Sequence, residues 1–341
     1  MPDQDMAYMQ QALSLAKTNL GQTWPNPSVG AVVVKNNVVI GQGCTARGGR
    51  PHAETEALTQ ADLNARGATL YVTLEPCSHH GKTPPCVDAI ISAGIARCVI
   101  ACRDPHKNVN GAGIAKLKEA GIEIVENMCA AEAKEINRGF FSVVEKKRPY
   151  IALKIATSAD GKIAYPTHSG KKWITGNAAR NEVHGLRSEF DAVLTGIGTV
   201  LADDPLLTVR LQNLEHKSPV RVVLDRKHRL PATSKLIQSK NIAPLWVLDS
   251  PTLESAIEEL TEKGITRLLV EAGQGLNTAL INSYLVDSIY WFKAPFTIGE
   301  DGLDAFADKK TLNLLEQWKK VDYIPFPPDQ LEIFEPCSPA S

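Results

Sequence analysis

The sequence predicts an α/β fold in two domains, and three observations carry that prediction. Short β-branched, apolar runs alternate along the chain with segments of helical periodicity, the pattern of a largely parallel sheet layered with helices. The alternation stops at the basic, proline-containing stretch KKRPY (146–150) and then restarts, giving domains at 1–147 and 148–341. With 341 residues, 43% of them hydrophobic and 22% charged, the chain has the material for two full cores.

Residues 4–19 read as an opening helix, with Met6, Met9, Leu13 and Ala16 on one side. TWPNPS is a turn, and VGAVVVKNNVVIGQG is a strand–turn–strand bent at Asn36-Asn37. A helix opens at PHAE (51–54), and the apolar run at 68–74 is a buried strand that delivers Cys77. After Pro84-Pro85 a helix begins at Cys86, since proline is favoured in a first turn. The strand ARCVIAC, a helix at 111–120, the strand IEIVE and one amphipathic helix over 131–147 complete the first domain. In the second, strands fall on YIALKIATSADG, DAVLTG, VRVVLD, APLWVLD, TRLLVEA and DSIYWFKAP. Helices fall near 177–190, 252–263 and 275–286, and LEIF (331–334) is a last strand before the tail frays.

Composition narrows the partners. A net charge of −1 provides no basic field for a polynucleotide backbone, so a small-molecule substrate is expected and nucleic acid is not. The N-terminus is polar and amphipathic, without a signal peptide's apolar stretch, and no run approaches the length of a membrane span. Seven cysteines, an odd number without a paired framework, fit a reducing cytoplasm.

The chemistry concentrates between His52 and Cys86. One imidazole (His52) and two thiols (Cys77, Cys86) form a ligand set suited to zinc, and three protein ligands leave a fourth position open for water. Glu54, too close to His52 to join the same shell comfortably, is suited to proton transfer. Residues two apart do not share a helix face, so His52 and Glu54 converge only if His52 sits at an irregular helix entrance. A helix N-terminus at Cys86 would favour a thiolate there. His79 and His80 lie between the cysteines and could compete as ligands.

His-x-Glu followed by Pro-Cys…Cys is the zinc signature of nucleobase deaminases. With EPCSHHGKTPPC (75–86) and WPNPSVGAVVV (24–34), it resembles the deaminase half of the bifunctional riboflavin-biosynthesis deaminase–reductases. The resemblance implies a cytidine-deaminase-like α/β/α domain with zinc on His52, Cys77 and Cys86 and Glu54 as the catalytic acid–base. Asn26 would line the pocket. Thr45 stands where that family often has His.

In the second half, TGIGT (195–199) and EAGQG (271–275) follow strands and could expose N–H groups to a phosphate, although neither completes GxGxxG. Arg226, at the end of a strand, could accommodate the 2′-phosphate of NADP, while Asp225 could instead accept a ribose hydroxyl and favour NAD. SADGKIA (158–164), KWITG, LRSEFDAVLTGIGTVLADDPLLTVR and VEAGQGL are similar to the reductase half of the same family. That likeness implies a dihydrofolate-reductase-like α/β domain using NADPH. The implied cofactor contacts are Ala156, Trp173, Thr199, Asp203 and Arg226, with the turn of Gly273, Gln274, Gly275, Leu276, Asn277, Thr278 and Ala279. The implied substrate contacts are Lys171, Arg187, Leu207, Arg210 and Glu271, with the two arginines as clamps on a phosphate.

The expected activity is hydrolytic deamination of 2,5-diamino-6-(5-phosphoribosylamino)pyrimidin-4(3H)-one, then NADPH-dependent reduction of its ribosyl group to ribityl, by a homo-oligomer. Two other readings compete: an active deaminase with a non-catalytic reductase-like domain, and a zinc-stabilised nucleotide-binding or tRNA-editing module.

Overall fold

We describe a computed structural model of the chain over residues 2–79, 84–107 and 109–337; His80, Gly81, Lys82 and Thr83 of the cysteine motif lie outside the described residues. The chain forms two compact units, Met1–Arg148 and Pro149–Ser341.

The first unit runs α1 (Pro2–Thr18), β1 (Gly30–Lys35), β2 (Val38–Cys44), α2 (Ala53–Ala61), β3 (Thr69–Val72), α3 (Cys86–Ser92), β4 (Arg97–Ile100), α4 (Ala112–Glu119), β5 (Glu123–Glu126), α5 (Ala130–Ile136) and α6 (Arg138–Lys146). Its sheet has the order β2-β1-β3-β4-β5. Strands β3, β4 and β5 are parallel, but β1 is antiparallel to both neighbours, so this sheet is more mixed than the alternation predicts. The reason is local. Asn36 and Asn37 both take positive φ (50° and 63°), the two-residue hairpin geometry that asparagine tolerates, and fold β2 back along β1.

One face of α1 buries Met9 and Leu13 completely against Val32 and Leu70, each such side chain contributing about 1.5–3 kcal/mol. The expected single helix at 131–147 is two. Asn137 leaves helical geometry (φ −101°, ψ 16°) because its side chain bonds Ser28: Oδ1 accepts from the Ser28 N–H (2.8 Å) and Nδ2 donates to its carbonyl (3.1 Å). A long-range amide clamp overrides helix propensity there.

The second unit runs β6 (Tyr150–Thr157), β7 (Lys162–Ala164), α7 (Asn177–Ser188), β8 (Ala192–Gly196), α8 (Ile197–Asp203), β9 (Val220–Leu224), α9 (Lys235–Gln238), β10 (Leu245–Leu248) and α10 (Leu253–Glu262). It continues through β11 (Arg267–Glu271), α11 (Gln274–Asn282), β12 (Ser288–Lys293), β13 (Leu303–Asp304), α12 (Lys309–Leu315), β14 (Trp318–Phe326) and β15 (Asp329–Pro336). Its eight-stranded sheet has the order β10-β9-β8-β11-β6-β12-β15-β14. The first six strands of that order are parallel, and the β14–β15 hairpin closes one edge antiparallel. The chain leaves the adjacent strands β8 and β11 in opposite directions, toward β9 on one side and β12 on the other. Such a divergence opens a crevice at the carboxyl ends of the strands.

Gly30 marks where α1 meets β1, since a Cβ there would lie 1.9 Å from the Ala12 carbonyl oxygen. Gly30→Ala is therefore expected to destabilise the first unit by at least about 2 kcal/mol in urea denaturation, and wild-type stability would rule out this close approach.

Candidate active sites

Three segments of the first unit meet in one cleft. His52 is the N-cap of α2 and holds extended backbone (φ −75°, ψ 156°), which lets its ring and the side chain of Glu54 converge although they lie two residues apart. Cys77 follows β3, and Cys86 is the first residue of α3. The His52 Nδ1 lies 3.3 Å from Cys86 Sγ and 3.7 Å from Cys77 Sγ. Zinc–nitrogen and zinc–sulfur bonds of about 2.05 and 2.3 Å at a tetrahedral angle separate such donors by about 3.6 Å, and the two measured distances straddle that value. The donor set therefore fits zinc. Among the described residues this is the one cluster of three or more metal-ligating side chains so arranged.

The electrostatics follow from hydrogen bonding among the donors and from burial. The Cys77 thiol falls to about 4 through hydrogen bonding with Cys86 and His52, and its sulfur also accepts from the Cys86 backbone N–H at 3.3 Å. Cys86 moves the opposite way, pushed up by its bond to Cys77 and by burial beside Glu54. The two thiols are bonded to each other, so one shifts down as the other shifts up. Hydrogen bonding to Cys77 raises His52. Glu54, 4% exposed, is raised by burial and then by the Cys77 charge, which suits a carboxyl that must take up and return a proton.

The cleft beside these donors encloses about 190 Å³. Asn26 lines it, with Nδ2 donating to the Gly49 carbonyl at 2.7 Å. Thr45 also lines it but is buried, its hydroxyl accepting from the Val29 N–H at 2.9 Å. His79 lies on the wall and stacks on His106 at 6.2 Å rather than joining the donors. His80 lies outside the described residues.

In the second unit the expected residues gather at the carboxyl edge of the parallel strands. The turns after β8 and β11 face each other: a Cβ on Gly273 would touch Thr199 Oγ1 at 3.5 Å, and one on Gly196 would touch Leu276 at 3.7 Å. Gly196 and Gly273 are the N-caps of α8 and α11, neither helix has a side-chain cap, and Gly198 and Gly275 border open space. Free helix-end N–H groups around such a cradle fit a pyrophosphate. Ala156 lies half-buried on β6, register-paired with Phe292. Arg226 is exposed past β9, with Nε donating to the Ser250 carbonyl at 3.1 Å. Asp225 cannot take the ribose role left open for it, being fully buried and accepting from the Leu230 N–H at 2.8 Å.

Other expected contacts lie on further segments of the unit. Trp173 is exposed, with the Arg180 guanidinium 4.8 Å over its ring, and the neighbouring Lys172 donates to the Asp203 carbonyl at 3.2 Å. Lys171 sits over the Tyr165 ring at 5.6 Å. Gln274, Asn277 and Thr278 turn toward the 305–307 segment, bonding Phe306, Ala305 and Ala307, while Ala279 is exposed on α11.

Arg187 is occupied. Its Nε and Nη2 donate to the two Glu271 oxygens at 2.5 and 3.0 Å, and Nη1 donates to the Thr208 carbonyl at 3.0 Å. Lys154 adds a second charge 3.5 Å from Glu271. Burial opposes the charge on Glu271, but Arg187 and Lys154 outweigh it and hold the carboxyl at about 2. Leu207 is buried, and Arg210 is exposed.

Comparison with known proteins agrees with this geometry. A profile described as the cytidine and deoxycytidylate deaminase zinc-binding region matches residues 2–102, and one described as the RibD C-terminal domain matches residues 149–329. A riboflavin biosynthesis protein RibD from Aquifex aeolicus is 45% identical over 318 residues, spanning 87% of this chain and 88% of that protein. The chain belongs to the RibD family. Its Escherichia coli relative is 38% identical over 344 residues, spanning 89% of this chain and 94% of that protein. Two solved RibD-type structures superpose over nearly all of the chain. Acinetobacter baumannii RibD has a TM-score of 0.89 at 38% identity, covering 98% of this chain and 99% of that one. A Thermotoga maritima diaminohydroxyphosphoribosylaminopyrimidine deaminase/5-amino-6-(5-phosphoribosylamino)uracil reductase has a TM-score of 0.88, with the same identity and coverage.

Sequence reasoning passed over Glu75. Its carboxylate, 2% exposed, accepts from the N–H groups of Gly111 (2.9 Å), Gly113 (3.1 Å), Ile114 (3.3 Å) and Asp104 (3.3 Å), capping α4 from the chain segment that carries Cys77. A Cβ on Gly113 would lie 2.3 Å from the Pro76 carbonyl, so the helix end is pressed onto this segment. Its signal, an acidic residue before Pro-Cys, has no local partner in sequence. The same tether sets the wall bearing Asp104, whose carboxyl burial raises to about 6.

Glu75→Gln places an NH2 group among those donors. It is expected to cost the first unit about 2 kcal/mol, read by denaturation, with zinc content unchanged by elemental analysis; undiminished stability would contradict the tether. In the second unit, burial and the Arg187 charge push His184 down to about 4. A histidine depressed on folding stabilises fully above its ordinary value near 6.5, and that contribution is lost as pH falls toward 4. Stability should therefore drop by on the order of 1 kcal/mol per pH unit below about 6.5, and His184→Gln should flatten the slope.

Proposed function

We propose that this chain performs two consecutive steps of riboflavin biosynthesis, with residues 1–147 acting as a zinc-dependent deaminase and 148–341 as an NADPH-dependent reductase. The observation that carries the reading is the convergence of His52, Cys77 and Cys86 beside the buried carboxyl of Glu54. A structural zinc site is closed by four protein ligands. This donor set stops at three among the described residues and adds an acid–base, which speaks for catalysis.

His52, Cys77 and Cys86 would hold zinc, whose Lewis acidity activates water at neutral pH. Glu54 takes a proton from the attacking water and returns it to the departing ring amine. One water adds at the amino-bearing ring carbon and one ammonia leaves, so that a carbonyl oxygen replaces the amino group on that carbon. Asn26, fixed by Gly49, offers its remaining polar atoms to the ring.

In the second unit NADPH, when bound, supplies the hydride that turns the ribosyl group into a ribityl chain. The N–H groups opening α8 and α11 suit its pyrophosphate, and Arg226, with Asp225 turned inward, suits its 2′-phosphate. Arg210, beside Glu271 on an exposed position, is the better candidate for the substrate phosphate, since Arg187 is committed to Glu271.

The expected setting is a cytoplasmic homo-oligomer acting on a small molecule. The seven cysteines are all free, which supports a reducing compartment. No helix among the described residues is long and apolar enough to cross a membrane.

The test is a coupled assay on zinc-replete protein with the diaminopyrimidinone substrate, following ammonia and NADPH together. Wild type should release ammonia and then oxidise NADPH. Glu54→Ala should lose at least about a thousandfold in ammonia release while retaining zinc. Undiminished release from Glu54→Ala would overturn the mechanism, and ammonia without NADPH loss would demote the second unit.

A further inference from the structure

Leu207 takes a left-handed backbone (φ 55°) while only 3% exposed, a conformation that a bulky residue holds only when its surroundings impose it. The carbonyls on either side are each gripped by an arginine. Thr208 O accepts from Arg187 Nη1 at 3.0 Å and lies 3.1 Å from His184 Nδ1. Leu206 O accepts from Arg221 Nη1 at 3.3 Å.

Arg221 is unusual in its own right. It lies in the middle of β9 among valines and is fully buried, and no carboxylate among the described residues pairs with it. Its remaining donors go to Ser239 Oγ (2.6 Å), Ser239 O (2.9 Å) and Ala243 O (2.5 Å), while Nε has no partner. A buried cation without a counter-ion is costly, and stability alone would favour an apolar side chain at this position. What a guanidinium does that an apolar side chain cannot is bind the 206 turn and the 239–243 loop to one rigid strand.

We propose that Arg221 is a positioning residue of the reductase half: by holding the Leu206 carbonyl it keeps the strained 206–208 turn in the shape that seats the pyrimidine substrate. The inference rests on reading the second unit as the reductase with Leu207 and Arg210 in its substrate seat. Asp204, whose carboxylate accepts from the Lys235 N–H at 2.8 Å, and Val209, whose N–H donates to Ser218 Oγ at 3.0 Å, fix the flanks of the turn independently. The loss of Arg221 should therefore distort the turn and not the whole 203–210 segment.

The experiment uses the full chain, whose deaminase rate serves as an internal control. Arg221→Lys keeps the charge, but a single ammonium cannot span both loops. The expected result is a rise of about tenfold in the reductase KM for the deaminated substrate, with the KM for NADPH and the deaminase rate within about twofold of wild type. A lower melting temperature with both KM values unchanged would make Arg221 merely structural and overturn the proposal. If Arg221→Lys does not fold, Ser239→Ala, which removes only the hydroxyl orienting Nη1, should raise the substrate KM about threefold; there an unchanged KM overturns it. Wild-type protein that oxidises no NADPH with the deaminated substrate would instead refute the reductase reading itself, an outcome the first measurement separates.

Discussion

A three-ligand metal centre needs two sulfurs and a ring nitrogen, each from a different chain segment, gathered within a few ångströms. The first unit meets this demand by stacking three element ends at one place: the entrance of α2 with His52, the exit of β3 leading to Cys77, and the first residue of α3, Cys86. The Cys77 segment is anchored from behind by the Glu75 carboxylate on the N–H groups of the α4 turn, and the Glu75 N–H donates to the Cys102 carbonyl just past β4 at 2.9 Å. Burial and hydrogen bonding together give the site its chemistry: the pocket raises Glu54, while bonds with Cys86 and His52 lower the Cys77 thiol against the effect of burial.

The second unit solves a different problem with a different device. Its parallel strands end along one edge, and the opposed exits of β8 and β11 keep that edge open. Two glycine-capped helices present free N–H groups there. At the end of β11, charge is arranged around Glu271, which Arg187 and Lys154 neutralise from two directions. Arg187 is thereby both ion-pair partner and brace for the Thr208 carbonyl, so the carboxylate and the strained turn are mechanically linked.

Much of this was legible in the sequence because it is local. Alternation of β-branched runs with helical periodicity identified the strands, Asn36-Asn37 identified the hairpin, and the His-x-Glu and Pro-Cys spacing identified the metal donors. What escaped depends on partners far away in sequence. The helix break at Asn137 comes from Ser28, more than a hundred residues earlier. Strand β14, WKKVDYIPF, reads as polar and interrupted because it is an exposed edge that only β15 completes. The opposite shifts of Cys77 and Cys86 come from their bond across the cleft, which no spacing encodes. Arg187 looks like a free phosphate clamp until β11 brings Glu271 against it, and Asp225 looks available until the turn at Leu230 takes its oxygen.

The central claim is that the two sites act in order on one substrate. The most direct test gives zinc-loaded Glu54→Gln protein NADPH with either the diaminopyrimidinone or its deaminated counterpart. The account predicts no NADPH loss with the first and a wild-type rate with the second. NADPH consumed at the wild-type rate from the undeaminated substrate would contradict it.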